Sequence, residues 1–149
     1  MADVVFRLTY KEILSPDQMD YMMDWMYSED SLRRQMLESG HVYFLEEGQG
    51  YASVRRDGVT ADGRPRFHME KLYVMPDRQG SGLGRRLFDT VADYVRSICS
   101  GPARIELNVN RNNPAVTFYE HLGMHKDRSG DFPIGKGFYM NDHIMAIDL

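Results

Sequence analysis

The stretch HMEKLYVMPDRQGSGLGRRLFDTVADYVRS, residues 68–97, decides the fold because its hydrophobic period changes halfway. From His68 to Val74 the residues alternate as in a β-strand. The residues expected on one face of this strand are His68, Glu70, Leu72 and Val74. Pro76 ends the strand because proline has no N–H to donate. From Leu83 to Cys99 the apolar residues recur at helical spacing. We therefore predict a strand, a glycine-rich turn and a helix in direct succession.

The glycine-rich turn QGSGLG, residues 79–84, opens the predicted helix and is followed by Arg85 and Arg86. Unpaired N–H groups and the positive end of the helix dipole make such a turn suitable for a phosphate group. A Walker loop would need Gly-Lys-Ser/Thr, which is absent. A dinucleotide fingerprint would need the spacing G-x-G-x-x-G in the first turn of a repeated βαβ sheet, and neither condition is met.

Composition indicates one soluble globular domain spanning residues 1–149, with 42% hydrophobic and 27% charged residues. The formal net charge of −4 argues against a general nucleic-acid binder, which is normally basic. The same charge is compatible with a cationic small molecule as partner, although it can equally serve solubility alone.

Cysteine content and hydropathy predict a cytoplasmic location. Cys99 is the single cysteine, so an intrachain disulfide is impossible and a reducing compartment fits. No apolar run is long enough to span a bilayer, and the N-terminal residues do not have the pattern of a secretory signal. We expect no membrane partner and no metal cofactor.

Turn and capping residues divide the rest of the chain into helices and strands. Ser15 and Pro16 are typical of a helix start, and Gly101-Pro102 is typical of a helix end. The other predicted strands are Val4–Tyr10, His41–Glu46, Tyr51–Arg56, Arg66–Val74, Arg104–Asn110, Met124–Arg128 and Asp142–Asp148. Two further helices are predicted over Asp30–Glu38 and Pro114–His121, and residues 129–137 are predicted to be a glycine-rich loop. The order of these elements indicates a mixed α/β domain.

Three motifs in sequence order resemble the GNAT superfamily of acyl-CoA N-acyltransferases. The Q-x-x-G-x-G pattern at residues 79–84 is similar to the pyrophosphate turn of that family, and LYVMP at residues 72–76 resembles its central strand. The pattern N-x-x-A-x-x-F-Y-x-x-x-G-M at residues 112–124 resembles its second signature, in which a phenylalanine commonly stands where this chain has Met124. Residues 131–142 loosely resemble the ends of bacterial polyamine acetyltransferases.

The resemblance implies the α/β (α+β) GNAT fold. This fold is a single mixed, mostly antiparallel sheet of about seven strands, flanked by about four helices, with two central strands splayed apart. The pantetheine arm of acetyl-CoA would lie in the gap, and its pyrophosphate would bind the N–H groups of the turn. The residues expected to bind acetyl-CoA are Leu72, Tyr73, Val74, Arg78, Gln79, Gly80, Ser81, Gly82, Leu83, Gly84, Arg85, Asn108 and Asn112. Alternatively, the arginines are solvated surface residues and Asn112 caps the following helix.

The chemistry implied is attack of a neutral amine on a thioester. Only about one alkyl amine in a thousand is neutral at pH 7, so a base near the acceptor is needed. Glu70 is the candidate, with a pKa expected to rise if its face of the strand is partly buried. His68 is the rival, and an ion pair of Glu70 with an arginine across the sheet is the alternative.

The leaving thiolate needs a proton, and Tyr119 matches the general acid of the family. The N–H of Tyr73 or Val74 would stabilise the oxyanion. Cys99 suggests a covalent acyl-enzyme, but its position far from the turn favours a buried structural thiol. We therefore predict direct transfer in a ternary complex.

The first two helices normally form the acceptor side in the family. The predicted substrate-binding residues are Trp25, Tyr27 and His68, which lie among acidic residues that suit a small cationic amine. Alternatively, Trp25 belongs to the core and the acids are solvated. A protein amino group is a further possible acceptor, and a non-catalytic CoA-binding module is the competing function. A homodimer through edge strands near the C-terminus is compatible with the sequence.

Overall fold

Two short helices with serine caps lead into the sheet, and the first begins at the predicted Ser15. The computed structural model describes Ala2, Phe6, Arg7 and residues 10–149. Helix α1 (Pro16–Tyr27) starts after Ser15, whose side chain accepts a hydrogen bond from the N–H of Gln18 at 3.2 Å. Helix α2 (Glu29–Leu37) starts after Ser28, which caps it in the same way. No helix in this described part of the chain has the length and apolarity needed to cross a membrane.

The remaining elements form one six-stranded sheet with two helices. In chain order they are β1 (Val42–Glu46), β2 (Gly50–Val59), β3 (Pro65–Val74), a 3₁₀ turn (Pro76–Arg78), α3 (Leu83–Ile98), β4 (Arg104–Asn110), α4 (Ala115–His121), β5 (His125–Gly135) and β6 (Phe138–Asp148). The strand order across the sheet is β1-β2-β3-β4-β6-β5. Only β3 and β4 run parallel, and the other neighbours are antiparallel. The predicted mixed, mostly antiparallel sheet is therefore confirmed.

Two of the predicted segments differ from the structure. The predicted strand Val4–Tyr10 lies largely outside the described residues, and its described members Phe6, Arg7 and Tyr10 are helical. The predicted loop over residues 129–137 is instead part of a long β5–β6 hairpin, in which Gly130 pairs with Asp142. Glycine and proline are tolerated there because β5 is an edge strand with an irregularity between Pro133 and Gly135.

A β-bulge in β3 overturns the predicted alternation from His68 to Val74. Strand β2 pairs Ser53 with Lys71 and Val54 with Met69, so Glu70 is the extra residue. The bulge reverses which residues face each side of the sheet. Leu72 and Val74 pack against the main core, together with Phe67 and Met69. The residues of β3 that line the cavity on the other side are His68, Glu70, Lys71 and Tyr73.

The two central strands separate soon after they meet. Parallel pairing between β3 and β4 covers only three residue pairs and ends at His68 and Glu106. Beyond this point β3 stays paired with β2, and β4 stays paired with β6 as far as Asn110 and Asp142. Each strand is thus held on its outer side while its inner edge has no strand partner. The splayed central strands expected from the resemblance are confirmed.

Helices cover the two faces of the sheet differently. Helix α3 places its apolar stripe on one face, where Val91 and Val95 are fully buried against Ile105 and Met145. Helix α4 packs against the same core through Phe118 and Tyr119. The opposite face carries a smaller core of Phe6, Met19 and Met22 and leaves a large cavity.

Candidate active site

Two cavities meet where β3 and β4 separate. The larger, about 800 Å³, lies against the sheet face that carries α1 and α2. The smaller, about 90 Å³, lies between the splayed strands and α4. Four residues line both cavities, and we call them the junction: Tyr10, Glu70, Tyr73 and Asn108. A group that extends along the gap therefore reaches the large cavity at the junction.

The glycine-rich turn leaves the start of helix α3 open. Gly82 precedes the helix in the left-handed region, with φ 85°, and no side chain of the described residues caps the helix. Gly84 lies against the second motif, because a Cβ at Gly84 would be 3.0 Å from Cζ of Phe118. The two motifs found in the sequence are therefore in contact. Their contact sets the first turn of α3 beside the gap, as a phosphate site requires.

Several side chains predicted to bind the coenzyme have partners within the protein. The Gln79 amide donates to the carbonyl oxygen of Val74 at 3.2 Å. The Arg85 guanidinium donates to the carbonyl oxygen of His121 at 3.1 Å, at the end of α4. Arg78 is exposed and lies 4.0 Å from Asp77. Gln79 and Arg85 brace the turn. The N–H of Ser81 donates to the carbonyl oxygen of Arg78 at 3.3 Å, so the N–H groups of Gly80, Gly82 and the first turn of α3 are left for an anion.

The predicted asparagines have different surroundings. Asn108 is at the junction, whereas the Asn112 side chain is exposed. The helix-capping alternative applies to the next residue, Asn113, whose side-chain oxygen accepts from the N–H of Ala115 at 2.9 Å. Asn113 also donates to the hydroxyl of Tyr10 at 3.3 Å. Asn113 therefore fixes one wall of the small cavity.

Glu70 is held in an ion-pair network. Its Oε1 accepts from Nε of Arg55 at 2.6 Å and lies 3.0 Å from Nδ1 of His68. The contact between His68 and Glu70 is an ion pair, because its geometry is not that of a hydrogen bond. Burial would raise the pKa of Glu70, but His68 and Arg55 together lower it to about 2. The expected rise in pKa is therefore wrong, because the arginine across the sheet and the histidine beside it stabilise the carboxylate.

His68 joins Glu70 to the neighbouring strand. Its Nε2 lies 2.9 Å from Oδ1 of Asn108, and the amide nitrogen of Asn108 donates to Oδ2 of Asp142 at 3.1 Å. Burial would lower the pKa of His68, but Glu70 and Asn108 outweigh it and the net pKa is raised. With acceptors at both ring nitrogens, His68 is suited to the charged form. Through these two contacts His68 positions Glu70 and Asn108 relative to each other.

Tyr119 lines the small cavity from helix α4. Burial, and then the neighbouring Tyr10, raise the pKa of Tyr119 above its ordinary value. The phenol therefore keeps its proton throughout the physiological range and can donate it. This geometry is compatible with the general acid that the resemblance implies.

The large cavity is lined by the first two helices, as expected for an acceptor site. Trp25 contributes from α1 and is 46% exposed. Tyr27 packs behind the cavity wall, where its hydroxyl accepts from Tyr51 at 2.9 Å. Lys71 is 4% exposed; its ammonium lies 4.3 Å from the centre of the Tyr27 ring and donates to Gln35 at 2.7 Å. Burial lowers the pKa of Lys71 to about 8, although Glu70 acts in the opposite direction.

The charged residues of the large cavity that sequence reasoning missed include Arg55, Lys71 and Asp142. Strict alternation predicted Lys71 on the face opposite to the cavity, because the alternation pattern does not reveal a bulge. Asp142 did leave a signal, since it interrupts the apolar alternation between Met140 and Ile144 on β6. A carboxylate within such an apolar row either destabilises the folded protein or has a function.

The described residues contain no group of three or more histidine, cysteine, aspartate or glutamate side chains arranged to hold a metal ion. What they offer is a gap with free backbone edges, an uncapped helix start beside it, and a polar junction. This combination fits an extended molecule with a phosphate group.

Comparison with protein families agrees with this geometry. A model of the acetyltransferase (GNAT) domain matches residues 11–133. The chain belongs to the GNAT family of acetyltransferases. The family match includes both motifs that meet at Gly84 and Phe118. A search of curated proteins found no match.

Solved GNAT structures share the fold across nearly the whole chain. A GCN5-related N-acetyltransferase from Rhodopseudomonas palustris has a TM-score of 0.72 and 18% identity, covering 99% of this chain and 84% of that one. PaiA N-acetyltransferase from Thermoplasma acidophilum, solved with coenzyme A, has a TM-score of 0.68 and 18% identity over 97% and 86%. The ribosomal-protein-S18-alanine N-acetyltransferase from Escherichia coli has a TM-score of 0.60 and 24% identity over 82% and 77%.

Proposed function

We propose that the protein transfers an acetyl group from acetyl-CoA directly to a primary amine of a small, positively charged acceptor. The observation that carries the proposal is the junction, where a gap suited to a pantetheine arm opens into a separate large cavity. Two substrates can thus approach one point from opposite sides. Direct attack requires that arrangement, whereas a covalent acyl-enzyme does not.

The coenzyme is proposed to lie along the inner edges of the splayed strands. Backbone groups of Leu72, Tyr73 and Val74 hold the pantetheine arm, and the N–H groups of Gly80, Gly82 and the first turn of α3 hold the pyrophosphate. The carbonyl of Val74 is bonded to Gln79 in this structure. A carbonyl oxygen has two lone pairs, so this one can also accept from the arm. The first turn of α3 supplies a partial positive charge to the phosphates.

Proton transfer is proposed to involve both sides of the junction. As the amine attacks the thioester carbon, a C–N bond forms and the C–S bond breaks. The proton lost by the amine passes through Glu70 to water, since a carboxylate with a pKa of about 2 is too weak a base to keep it. Tyr119 donates its proton to the leaving thiolate and regains one from water, so the products are the amide and the free CoA thiol with no net change in protons.

The test is release of CoA thiol from acetyl-CoA with a panel of amines. The panel contains spermidine, n-butylamine, an amino sugar, an aminoglycoside and a peptide with a free amino terminus. Turnover with the small cationic amines supports the proposal. Turnover with the peptide alone identifies a protein amino group as acceptor. Tight CoA binding without turnover on any amine identifies a non-catalytic CoA-binding module.

A further inference from the structure

Asp142 is a buried carboxylate at the wall of the large cavity. It lies on β6 and is 3% exposed. Its strand neighbours hold it on both sides, since it pairs with Asn110 of β4 and with Gly130 of β5. Met140 and Ile144 line the same cavity from the same face of the strand. The carboxylate is thus a fixed negative group between apolar residues.

No cation neutralises this carboxylate in the described part of the chain. Its single side-chain hydrogen bond there comes from the amide nitrogen of Asn108, at 3.1 Å from Oδ2. Arg111 and His68 are near enough to act on it electrostatically. However, Arg111 pairs with Asp131 at 3.0 Å, and His68 pairs with Glu70. Both neighbouring charges are therefore engaged elsewhere.

The other carboxylates of the cavity wall either pair with an arginine or are exposed to water. Glu70 pairs with Arg55, and Asp57 lies 3.2 Å from the same guanidinium. Glu106 is as buried as Asp142 but contacts two arginines, Arg104 at 3.3 Å and Arg128 at 3.2 Å. Glu38 at the end of α2 is exposed to water. Asp142 combines burial with the lack of a countercharge, and a buried charge in that state is costly unless a ligand pairs with it.

We infer that Asp142 binds the positive charge of the acceptor and so selects cationic amines over neutral and anionic ones. The inference rests on the proposed acetyl transfer for the identity of the reaction, but not for the binding itself. Asn108 links Asp142 to the junction, because it bonds to the carboxylate and also lines both cavities. An ammonium group on the free oxygen of Asp142 therefore lies one side chain away from the transfer point.

The substitution Asp142→Asn tests the charge alone. The amide oxygen still accepts from Asn108, and the side chain keeps its shape, so folding and CoA affinity are expected to be unchanged. Asp142→Glu keeps the charge and is expected to retain part of the amine binding. Asp89→Asn is the matched control, since Asp89 is an exposed carboxylate on helix α3 outside both cavities.

Binding of spermidine, n-butylamine and the free-amino peptide to the CoA-saturated protein is measured by calorimetry. Asp142→Asn should weaken the binding of at least one of them on the order of tenfold or more, as for loss of a desolvated charge partner. The KM for that amine should rise by a similar factor with kcat within about twofold, since uniform binding is removed.

Four outcomes would overturn the inference. They are unchanged amine binding in Asp142→Asn, an equal loss in Asp89→Asn, a loss of CoA affinity that marks a structural role, and no binding of any probe to the wild type. A fall in kcat at constant KM would also contradict it, because Asp142 would then act on proton transfer. Binding that depends on Asp142 without turnover would leave the inference standing and reject the proposed acetyl transfer.

Discussion

At the scale of single residues, Glu70 shows how neighbours set the chemistry of a carboxylate. Arg55 and His68 lie within 3.0 Å of its Oε1 and hold its pKa at about 2. The same carboxylate raises the pKa of His68. Each group therefore stabilises the charged form of the other.

Glu70→Gln is expected to lower the free energy of unfolding at neutral pH. Near pH 2 the decrease in this free energy should be much smaller. The folded pKa of Glu70, about 2, is below its ordinary value of 4.5, so its stabilisation is present above 4.5 and is lost as pH falls through the folded pKa. After allowance for partial exposure, the loss at neutral pH is roughly 2 kcal/mol. Urea unfolding at a series of pH values measures it.

The control is Glu47→Gln, because Glu47 is exposed in the turn after β1. This variant should match the wild type at every pH. A stability difference for Glu70→Gln that stays constant down to pH 2 would contradict the ion-pair explanation, since protonation would then have no effect on the contribution of Glu70.

Tyr119→Phe is expected to lower kcat by about tenfold to a thousandfold with little change in the affinity for acetyl-CoA, because it removes only the donated proton. Tyr94→Phe is the matched control: Tyr94 packs against Phe44 from α3, with ring centres 5.5 Å apart, outside both cavities. Steady-state kinetics and calorimetry give the two quantities. Equal kcat in Tyr119→Phe and wild type would remove Tyr119 from the mechanism.

At the scale of elements, the site depends on where helix α3 begins. The helix starts beside the gap because Gly82 turns the chain in the left-handed region and Gly84 allows Phe118 of α4 to approach. These contacts bring the first N–H groups of α3 to the place where β3 ends. The anion site is therefore a property of three elements that meet, and no single side chain provides it.

Gly84→Val is expected to weaken acetyl-CoA binding by roughly tenfold or more, since the added methyl groups displace Phe118 or the helix start at a cost of about 1–3 kcal/mol. Gly101→Val is the control, because no atom lies within 4 Å of a Cβ at Gly101, beyond the other end of α3. Calorimetry of CoA binding compares them. If the double variant Gly84→Val/Phe118→Leu regains CoA affinity, the loss is due to the contact between residues 84 and 118. Unchanged CoA affinity in Gly84→Val would contradict the prediction.

At the scale of the whole molecule, three distant parts of the chain build the large cavity. Helices α1 and α2 form one wall, β3 and β4 form the floor, and the β5–β6 hairpin forms the far wall. The hairpin is tied to α1, where the hydroxyl of Tyr21 donates to the carbonyl oxygen of Ile134 at 2.6 Å. Gln18 makes a second tie to the carbonyl oxygen of Tyr139 at 3.1 Å. The cavity therefore exists only when these walls are docked.

Tyr21→Phe is expected to raise the KM for the acceptor several-fold, because loss of a hydrogen bond of about 1 kcal/mol loosens the hairpin wall. The affinity for CoA should not change, since the gap and the turn lie elsewhere. Tyr94→Phe again serves as the control. Steady-state kinetics with the best amine of the panel, together with hydrogen exchange of residues 132–140, measures the effect. Unchanged exchange and KM would contradict a role for this tie.

The period change in residues 68–97, the capping Ser15 and the motifs determined the strand–turn–helix unit, the mixed α/β class and the family. These features are local: they depend on alternation, on caps and on glycines that need particular backbone angles. Strand β4 and helix α3 accordingly begin and end close to the predicted residues.

Only the tertiary structure decided which residues form the junction and how they are charged. The bulge at Glu70 depends on how β3 pairs with β2, and it moved Leu72 and Lys71 to faces opposite to those predicted. The low pKa of Glu70 depends on Arg55, which is brought to it by the same pairing, and Asp142 meets Asn108 through the pairing of β4 with β6. Such contacts join residues that are far apart in the chain. Burial and neighbouring charge, which set ionisation, arise only when those strands come together.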